Sequence, residues 1–145
     1  MWLFPLTYLF HVAEELRGGF PSWVSEFAGI SVTPELFLRL NAMFFVGMVA
    51  AVFLARYVPG AGWIAVTLAV SIAANGLLHL AGTILTRSYS PGVVSGLLLW
   101  VPLGAVALRS MRARLPRAVF RLACLGGVGL QGMVFLILLR SGASR

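Results

Sequence analysis

Long apolar runs separated by short polar breaks dominate the chain from its first residues. Five of these runs approach the roughly 20 residues that an α-helix needs to cross a bilayer. We therefore predict an all-α integral membrane helical bundle, with about five transmembrane helices, that forms a single domain over residues 1–145. In order, the predicted spans cover residues 1–16, 34–57, 62–86, 93–108 and 118–139.

The stretch between the first two runs, residues 17–33, has a different pattern. Its apolar positions recur at helical spacing, with Ser22, Ser25 and Glu26 between them. Such an amphipathic segment lies in the plane of the membrane interface, where Trp23 is typical of an anchor. We predict a short interfacial helix here, with an ordered loop as the alternative.

Local residues mark one helix start and one bend. Thr33 supplies a capping hydroxyl, Pro34 suits the first helical position, and Glu35 puts a negative charge in the first turn. The second span is therefore expected to begin at Pro34. Pro102 is expected to bend the fourth span, because proline removes a backbone donor from the helix.

Composition agrees with a membrane protein and narrows its partners. Hydrophobic residues make up 60% of the chain and charged residues 10%, outside the usual range of soluble domains. The net charge of +7 comes from arginine alone, since the sequence contains no lysine and no aspartate. In so apolar a chain these arginines indicate contact with the lipid bilayer and exclude a nucleic-acid partner.

Arginines crowd the junction between the fourth and fifth predicted spans. By the positive-inside rule this junction is cytoplasmic. Five spans then place the N-terminus in the cytoplasm and the C-terminus outside, in a multi-pass protein of the cell (inner) membrane. The arginines of this junction are Arg109, Arg112, Arg114, Arg117 and Arg121.

One group of ionisable residues lies inside the first apolar run. His11, Glu14 and Glu15 form an H-x-x-E-E motif. Residues three and four positions apart share one face of a helix, so the imidazole and both carboxylates are predicted to lie together. Ionisable groups at membrane depth are costly and usually mark functional sites.

A second polar signal lies on the third span. Ser71, Asn75, His79 and Thr83 follow one another at steps of four and form one stripe on a helix. At about 1.5 Å per residue, Asn75 and His79 reach nearly the same level as the first motif and as Asn41 on the second span. We predict a shared intramembrane pocket, with Thr83 as a further substrate contact and the next loop as its lid. The predicted pocket residues are His11, Glu14, Glu15, Asn41, Asn75 and His79, and the lid residues are Tyr89 and Ser90.

The alternative is that these polar residues act separately. Asn41 and Asn75 would then be interhelical hydrogen-bonding residues, and His79 a packing residue. Gln131, in a glycine-rich run of the fifth span, points into the same pocket or simply accompanies close helix packing.

The sequence motifs also resemble those of a known family. With His11, Glu14 and Glu15, the run 75–79 and the Tyr-Ser-Pro-Gly sequence at 89–92, the chain resembles the HXXEE-motif family. These are small, mostly bacterial, multi-span membrane proteins. The resemblance covers most of the chain and implies an integral membrane protein, with no activity attached.

The leading functional hypothesis is a membrane-embedded enzyme acting on a lipophilic small molecule. Two adjacent carboxylates in a low dielectric cannot both ionise easily, so Glu14 or Glu15 is predicted to donate a proton. His11 or His79 would be the base. Isomerisation, cyclisation or hydrolysis needs no cofactor at such a site. The residues expected to orient the substrate are Asn41, Asn75, Thr83, Tyr89 and Ser90.

A second form of this hypothesis adds a divalent metal. His11, Glu14, Glu15 and His79 offer imidazole and carboxylate ligands suited to Zn²⁺ or Fe²⁺.

Two other classes of function stay open. In a proton-coupled transporter or channel subunit, the glutamate pair would relay protons. That class predicts a homo-oligomer, because five spans are few for a monomeric carrier. In a structural membrane subunit, the same polar residues would bond a partner helix.

Overall fold

The computed structural model describes residues 1–143, so Ser144 and Arg145 lie outside the described part of the chain. Over this range the structure contains helices and no strand, which confirms the all-α prediction. The helices are α1 (Leu3–Gly18), α2 (Phe20–Ala28), α3 (Pro34–Tyr57), α4 (Trp63–Thr86), α5 (Val93–Arg112) and α6 (Arg117–Ala143).

The predicted helix boundaries agree closely with the observed ones. The second predicted span and α3 have the same limits, and the Thr33 hydroxyl accepts a hydrogen bond from the backbone N–H of Leu36 at 3.2 Å. This is the expected N-terminal cap, which satisfies a backbone donor that the helix itself leaves free. The stretch between the first two runs contains the predicted short helix, α2.

The number of membrane-crossing helices is four by length and hydropathy, within the described residues. These are α3, α4, α5 and, over Arg117–Ile137, α6. The first helix, α1, has 16 residues. At 1.5 Å per residue it is about 24 Å long, shorter than a hydrocarbon core of about 30 Å. The predicted count of five spans is therefore approximate.

Helix α5 carries a local irregularity beside Pro102. Residues Gly96–Trp100 form a π-helical turn, which ends where the Val101 N–H bonds to the Gly96 carbonyl. Because Pro102 has no N–H, it cannot donate to the carbonyl four residues earlier, so the regular bonding pattern fails at this point. The sequence predicts a bend at Pro102; the structure has a widened turn immediately before it, and this turn includes the buried Trp100.

Glycines allow α4 to pack closely against its neighbours. A Cβ at Gly76 would lie 2.7 Å from the Gly96 carbonyl oxygen of α5. A Cβ at Gly127 of α6 would lie 2.5 Å from the Cβ of Val70. Small residues of this kind let membrane helices approach closely enough for extensive van der Waals contact. The main buried core consists of Phe4, Tyr8, Met48, Val52, Leu68, Ala69, Ile72 and Trp100.

The two ends of the bundle are formed by different helix ends and turns. At one end, a Cβ at Gly62, before α4, would lie 3.1 Å from Met111 and 3.9 Å from Leu115. The turn between α3 and α4 therefore lies beside the turn between α5 and α6, and we call this the arginine end. At the opposite end a Cβ at Gly18 would lie 2.7 Å from Pro91. This second end, which we call the site end, joins the end of α1, α2 and the loop from α4 to α5.

Candidate metal centre

Two histidines and one glutamate converge inside the site end. His11 and Glu15 are four residues apart on α1 and therefore share a helix face. Glu15 Oε1 lies 3.6 Å from His11 Nε2 and 3.3 Å from His79 Nε2 of α4. The exposed fractions of His11, Glu15 and His79 are 2%, 6% and 6%. We call these residues the His–Glu–His cluster; their ligand atoms all lie within 4.8 Å of one another.

The other nitrogen of each imidazole contacts a serine. His11 Nδ1 lies 2.8 Å from Ser95 Oγ, and His79 Nδ1 lies 3.1 Å from Ser90 Oγ. The Ser95 hydroxyl is also oriented to donate to the Gly92 carbonyl, at 3.5 Å, which leaves its lone pairs free for an Nδ1–H donor. Each imidazole thus has Nδ1 beside a serine hydroxyl and Nε2 directed toward Glu15.

Aromatic rings and a glycine close the cluster. The Trp100 ring stacks on His11 with centroids 3.7 Å apart, and the two imidazoles meet edge to face at 5.0 Å. On the other side, the Phe20 ring of α2 lies 5.5 Å from His79. A Cβ at Gly92 would lie 2.7 Å from His79 Cε1 and 2.8 Å from His11 Cε1. The cluster is thus enclosed by apolar contacts and backbone.

Glu14 lies outside this cluster. Its Oε1 accepts hydrogen bonds from the Tyr89 hydroxyl at 2.6 Å, from the Gly92 N–H at 3.1 Å and from the Val94 N–H at 3.0 Å. Its Oε2 accepts the Ser95 N–H at 2.7 Å. Partial burial raises the pKa of the Tyr89 hydroxyl, and the hydrogen bond to Glu14 and the charge of that carboxylate raise it further, to about 12.

The two asparagines have different surroundings. Tyr8, one turn before His11, donates to Asn41 Oδ1 at 2.7 Å, and the Asn41 amide donates to the Phe37 carbonyl at 3.0 Å. Asn41 is therefore an interhelical hydrogen-bonding residue in this structure. Asn75, one turn before His79, has a buried Oδ1 with no hydrogen-bond partner in the described part of the chain.

Thr83 and Ser71, on the same stripe of α4 as His79, bond to protein groups. Thr83 donates to the His79 carbonyl at 3.0 Å and accepts the Ser90 N–H at 3.1 Å. Ser71 donates to Gln131 Oε1 at 3.5 Å, which ties α4 to α6. Thr83 thereby holds the serine that touches His79.

The residues predicted for the pocket and its lid thus make separate sets of contacts. His11, Glu15 and His79 meet in the cluster, and Ser90 supports it. Glu14 and Tyr89 bond to each other, and Asn41 bonds to Tyr8. Asn75 lies along α4 with a free acceptor, and Thr83 anchors Ser90.

The sequence did not reveal that Ser95 and Trp100 are partners of His11. Both lie on α5, more than 80 residues along the chain, and no spacing rule joins them to α1. The nearest available signal was Pro102, whose irregular turn includes Trp100.

The fold and this cluster define the class of the protein: a helical membrane protein with a buried histidine–glutamate site. The chain belongs to the family described as proteins of unknown function with an HXXEE motif, whose family model matches residues 2–107. That range contains α1 to α4 and most of α5, and with them the whole cluster and both serines. Comparisons with curated proteins and with solved structures returned no match.

Proposed function

We propose that this protein is a membrane-embedded, metal-dependent enzyme that acts on a lipophilic small molecule. Its reactive centre is the His–Glu–His cluster, which binds one Zn²⁺ or Fe²⁺ ion. The observation that carries this proposal is that two imidazoles on different helices direct Nε2 at the same buried carboxylate oxygen, Glu15 Oε1.

Two of the distances between ligand atoms in the cluster fit a metal ion. Ligand atoms at about 2.1 Å from a tetrahedral metal lie about 3.4 Å from one another. The separations of 3.3 Å and 3.6 Å between Glu15 Oε1 and the two Nε2 atoms fall around this value. His11 Nε2 is buried and makes no hydrogen bond within the described residues. A bound cation would satisfy this nitrogen, whose burial is otherwise uncompensated.

The serines support the same conclusion. A histidine that binds metal through one nitrogen usually donates its other N–H to an acceptor, which fixes the tautomer and the ring orientation. Ser95 and Ser90 stand in this position for His11 and His79. Both imidazoles therefore have the surroundings expected of metal ligands.

Three protein ligands leave at least one coordination position open, as in catalytic zinc and non-haem iron sites. A metal there would polarise a substrate oxygen or lower the pKa of a bound water. This chemistry suits hydrolysis, isomerisation or cyclisation. Close by, the buried Trp100 N–H and the Asn75 Oδ1 have no partner among residues 1–143, and we assign them as donor and acceptor for the substrate.

The surroundings favour an apolar substrate. The cluster lies between α1, α4 and α5 and is covered by the aromatic Phe20 of α2. Helix α2 is flanked by Gly19 and Gly29, both with positive φ and with no described atom within 4 Å of an added Cβ. We place substrate access under α2; a movement about these two glycines that uncovers His79 would also break the 3.1 Å hydrogen bond from the Trp23 ring N–H to Ser88 Oγ.

The first test is metal content. The full chain, purified in nanodiscs, is expected to contain about one Zn or Fe per molecule by elemental analysis. Glu15→Gln and His79→Ala are expected to lose it, because each removes one of three ligands. Glu35→Gln is the matched control, since Glu35 is an exposed glutamate on α3. A wild-type protein that takes up neither metal, even when Zn²⁺ or Fe²⁺ is added, would overturn the proposal.

The second test separates catalysis from transport. Lipid extracts incubated with the wild-type protein are expected to lose one component and gain another, whereas extracts incubated with Glu15→Gln stay unchanged. The competing class, a proton-coupled transporter, predicts instead a pH-dependent flux into proteoliposomes that Glu15→Gln abolishes, with no change in the extract.

A further inference from the structure

Glu14 binds the chain segment that supports both histidines. Each of its carboxylate oxygens accepts at least one hydrogen bond from residues 89–95, and three of the four donors are backbone N–H groups. Ser95, whose backbone N–H donates the shortest of these backbone bonds at 2.7 Å, contacts His11 through its side chain. We call residues 90–95 the serine segment.

The serine segment touches the cluster at three points. Ser90 contacts His79, Ser95 contacts His11, and Gly92 lies against both imidazoles with no room for a Cβ. A shift of this segment would therefore change the positions of both rings together. Nothing else in the described chain bonds to the N–H groups of Gly92, Val94 and Ser95 at once.

A carboxylate is the group that this position requires. The first N–H groups of a helix have no partner within the helix, and the helix dipole favours a negative charge there. Glu14 Oε1 and Oε2 both act as acceptors at the start of α5. A glutamine has one acceptor oxygen and one NH₂ donor, so it would place a donor against a backbone N–H.

We propose that Glu14 is a positioning residue: by holding the serine segment, its carboxylate fixes the orientation of His11 and His79. The H-x-x-E-E motif then has two parts. His11 and Glu15 form the reactive centre, and Glu14 fixes the structure that supports it. The consequence for metal affinity rests on the function proposed above, whereas the consequence for the imidazoles does not.

The test that is independent of metal uses the two histidines as reporters. The chain has only His11 and His79, so ring ¹⁵N spectra of chelator-treated protein in nanodiscs give two sets of signals. In the wild type, each ring is expected to show one defined protonation pattern, because a serine hydroxyl faces Nδ1 and the Glu15 carboxylate faces Nε2. Glu14→Gln is expected to give a mixture of tautomers at both rings. Glu26→Gln, an exposed glutamate on α2, is the control and is expected to leave the spectra unchanged.

The metal-dependent test compares affinities. Removing an outer contact of a metal-binding histidine typically weakens metal binding about 10- to 100-fold. Glu14→Gln is expected to fall in this range and still bind one ion at saturation, unlike Glu15→Gln. Combining Glu14→Gln with Ser95→Ala is expected to cost less than the sum of the two changes, because both act through the same contact.

Wild-type ¹⁵N spectra in Glu14→Gln would overturn the inference, and so would loss of the whole site with both tautomers unchanged, since Glu14 would then be a ligand. If Glu14→Gln does not fold, Tyr89→Phe removes one of the four hydrogen bonds and is expected to shift the tautomers in the same direction. Changed tautomers in a protein that binds no metal would refute the proposed function and support this role of Glu14.

Discussion

Glu14 and Glu15 are neighbours in the chain, but their carboxylates contact different parts of the molecule. Adjacent residues of an α-helix point about 100° apart. Glu15 shares the face of His11 and meets α4, whereas Glu14 turns toward the start of α5. A motif that looks like one group of acids in the sequence is therefore divided by helix geometry.

Gly92 gives a residue-scale prediction. Alanine there would put a Cβ within 2.8 Å of both imidazoles, at a backbone φ of 104° that L-residues rarely adopt. We expect Gly92→Ala to weaken metal binding by about tenfold or more, because the rings must move apart. The measurement is a metal titration of purified protein.

The control for Gly92→Ala is Gly60→Ala. Gly60 also has a positive φ, 81°, but a Cβ there meets no described atom within 4 Å. Gly60→Ala therefore introduces backbone strain of the same kind but no contact with the histidines. Equal metal affinities in the two variants would show that crowding at Gly92 is unimportant.

At the scale of elements, glycines of one helix have different roles. Gly127 of α6 packs against α4, where an added Cβ would lie 2.5 Å from Val70 Cβ and 2.7 Å from the Thr67 carbonyl oxygen. Gly129 and Gly132 have no described atom within 4 Å of an added Cβ. In the glycine-rich run that predicted close helix packing, tight contact with α4 thus occurs at Gly127 and not at Gly129 or Gly132.

We therefore expect Gly127→Ala to lower the free energy of unfolding by about 1–3 kcal/mol, the usual cost of overpacking. Gly129→Ala is the matched variant and is expected to be neutral or slightly stabilising, because alanine favours helix over glycine. Denaturation in detergent, followed by circular dichroism, measures both. A Gly129→Ala variant that is as destabilised as Gly127→Ala would contradict this account of the α4–α6 contact.

At the scale of the whole molecule, the bundle has two distinct ends. The arginine end brings the turn after α3 beside the turn before α6, and six arginines lie in or near these turns. The site end contains the cluster, α2 and the serine segment. The positive-inside rule predicts that the arginine end faces the cytoplasm, and this prediction would put the cluster in the outer half of the membrane.

Single cysteines introduced into a Cys124→Ser background test this arrangement. Val58→Cys and Ala113→Cys, both exposed at the arginine end, are expected to resist a membrane-impermeant maleimide in intact cells. Ser31→Cys, exposed between α2 and α3, is expected to react. If Ser31→Cys and Ala113→Cys were labelled from the same side, the helices would not cross the membrane as this packing requires.

The sequence by itself determined the helices and the residue types of the site. Apolar run length, the Thr33–Pro34 start and Pro102 are local signals, because helix formation and bilayer crossing depend on neighbouring residues along the chain. The rise of a helix and the alternation of spans predicted one shared pocket for His11, Glu14, Glu15, Asn41, Asn75 and His79. Of these six residues, His11, Glu15 and His79 meet in the structure.

The tertiary structure decided which of the polar residues meet. Whether a carboxylate faces an imidazole or a backbone N–H depends on the rotation of α1 about its axis, which is set by its packing against α3 and the start of α5. The Gly76–Gly96 approach and the π-helical turn bring Ser95 and Trp100 to His11, across 84 residues of chain in the case of Ser95. Contacts of this kind arise from helix packing and have no periodicity in the sequence, so only the folded chain separates the role of Glu14 from that of Glu15.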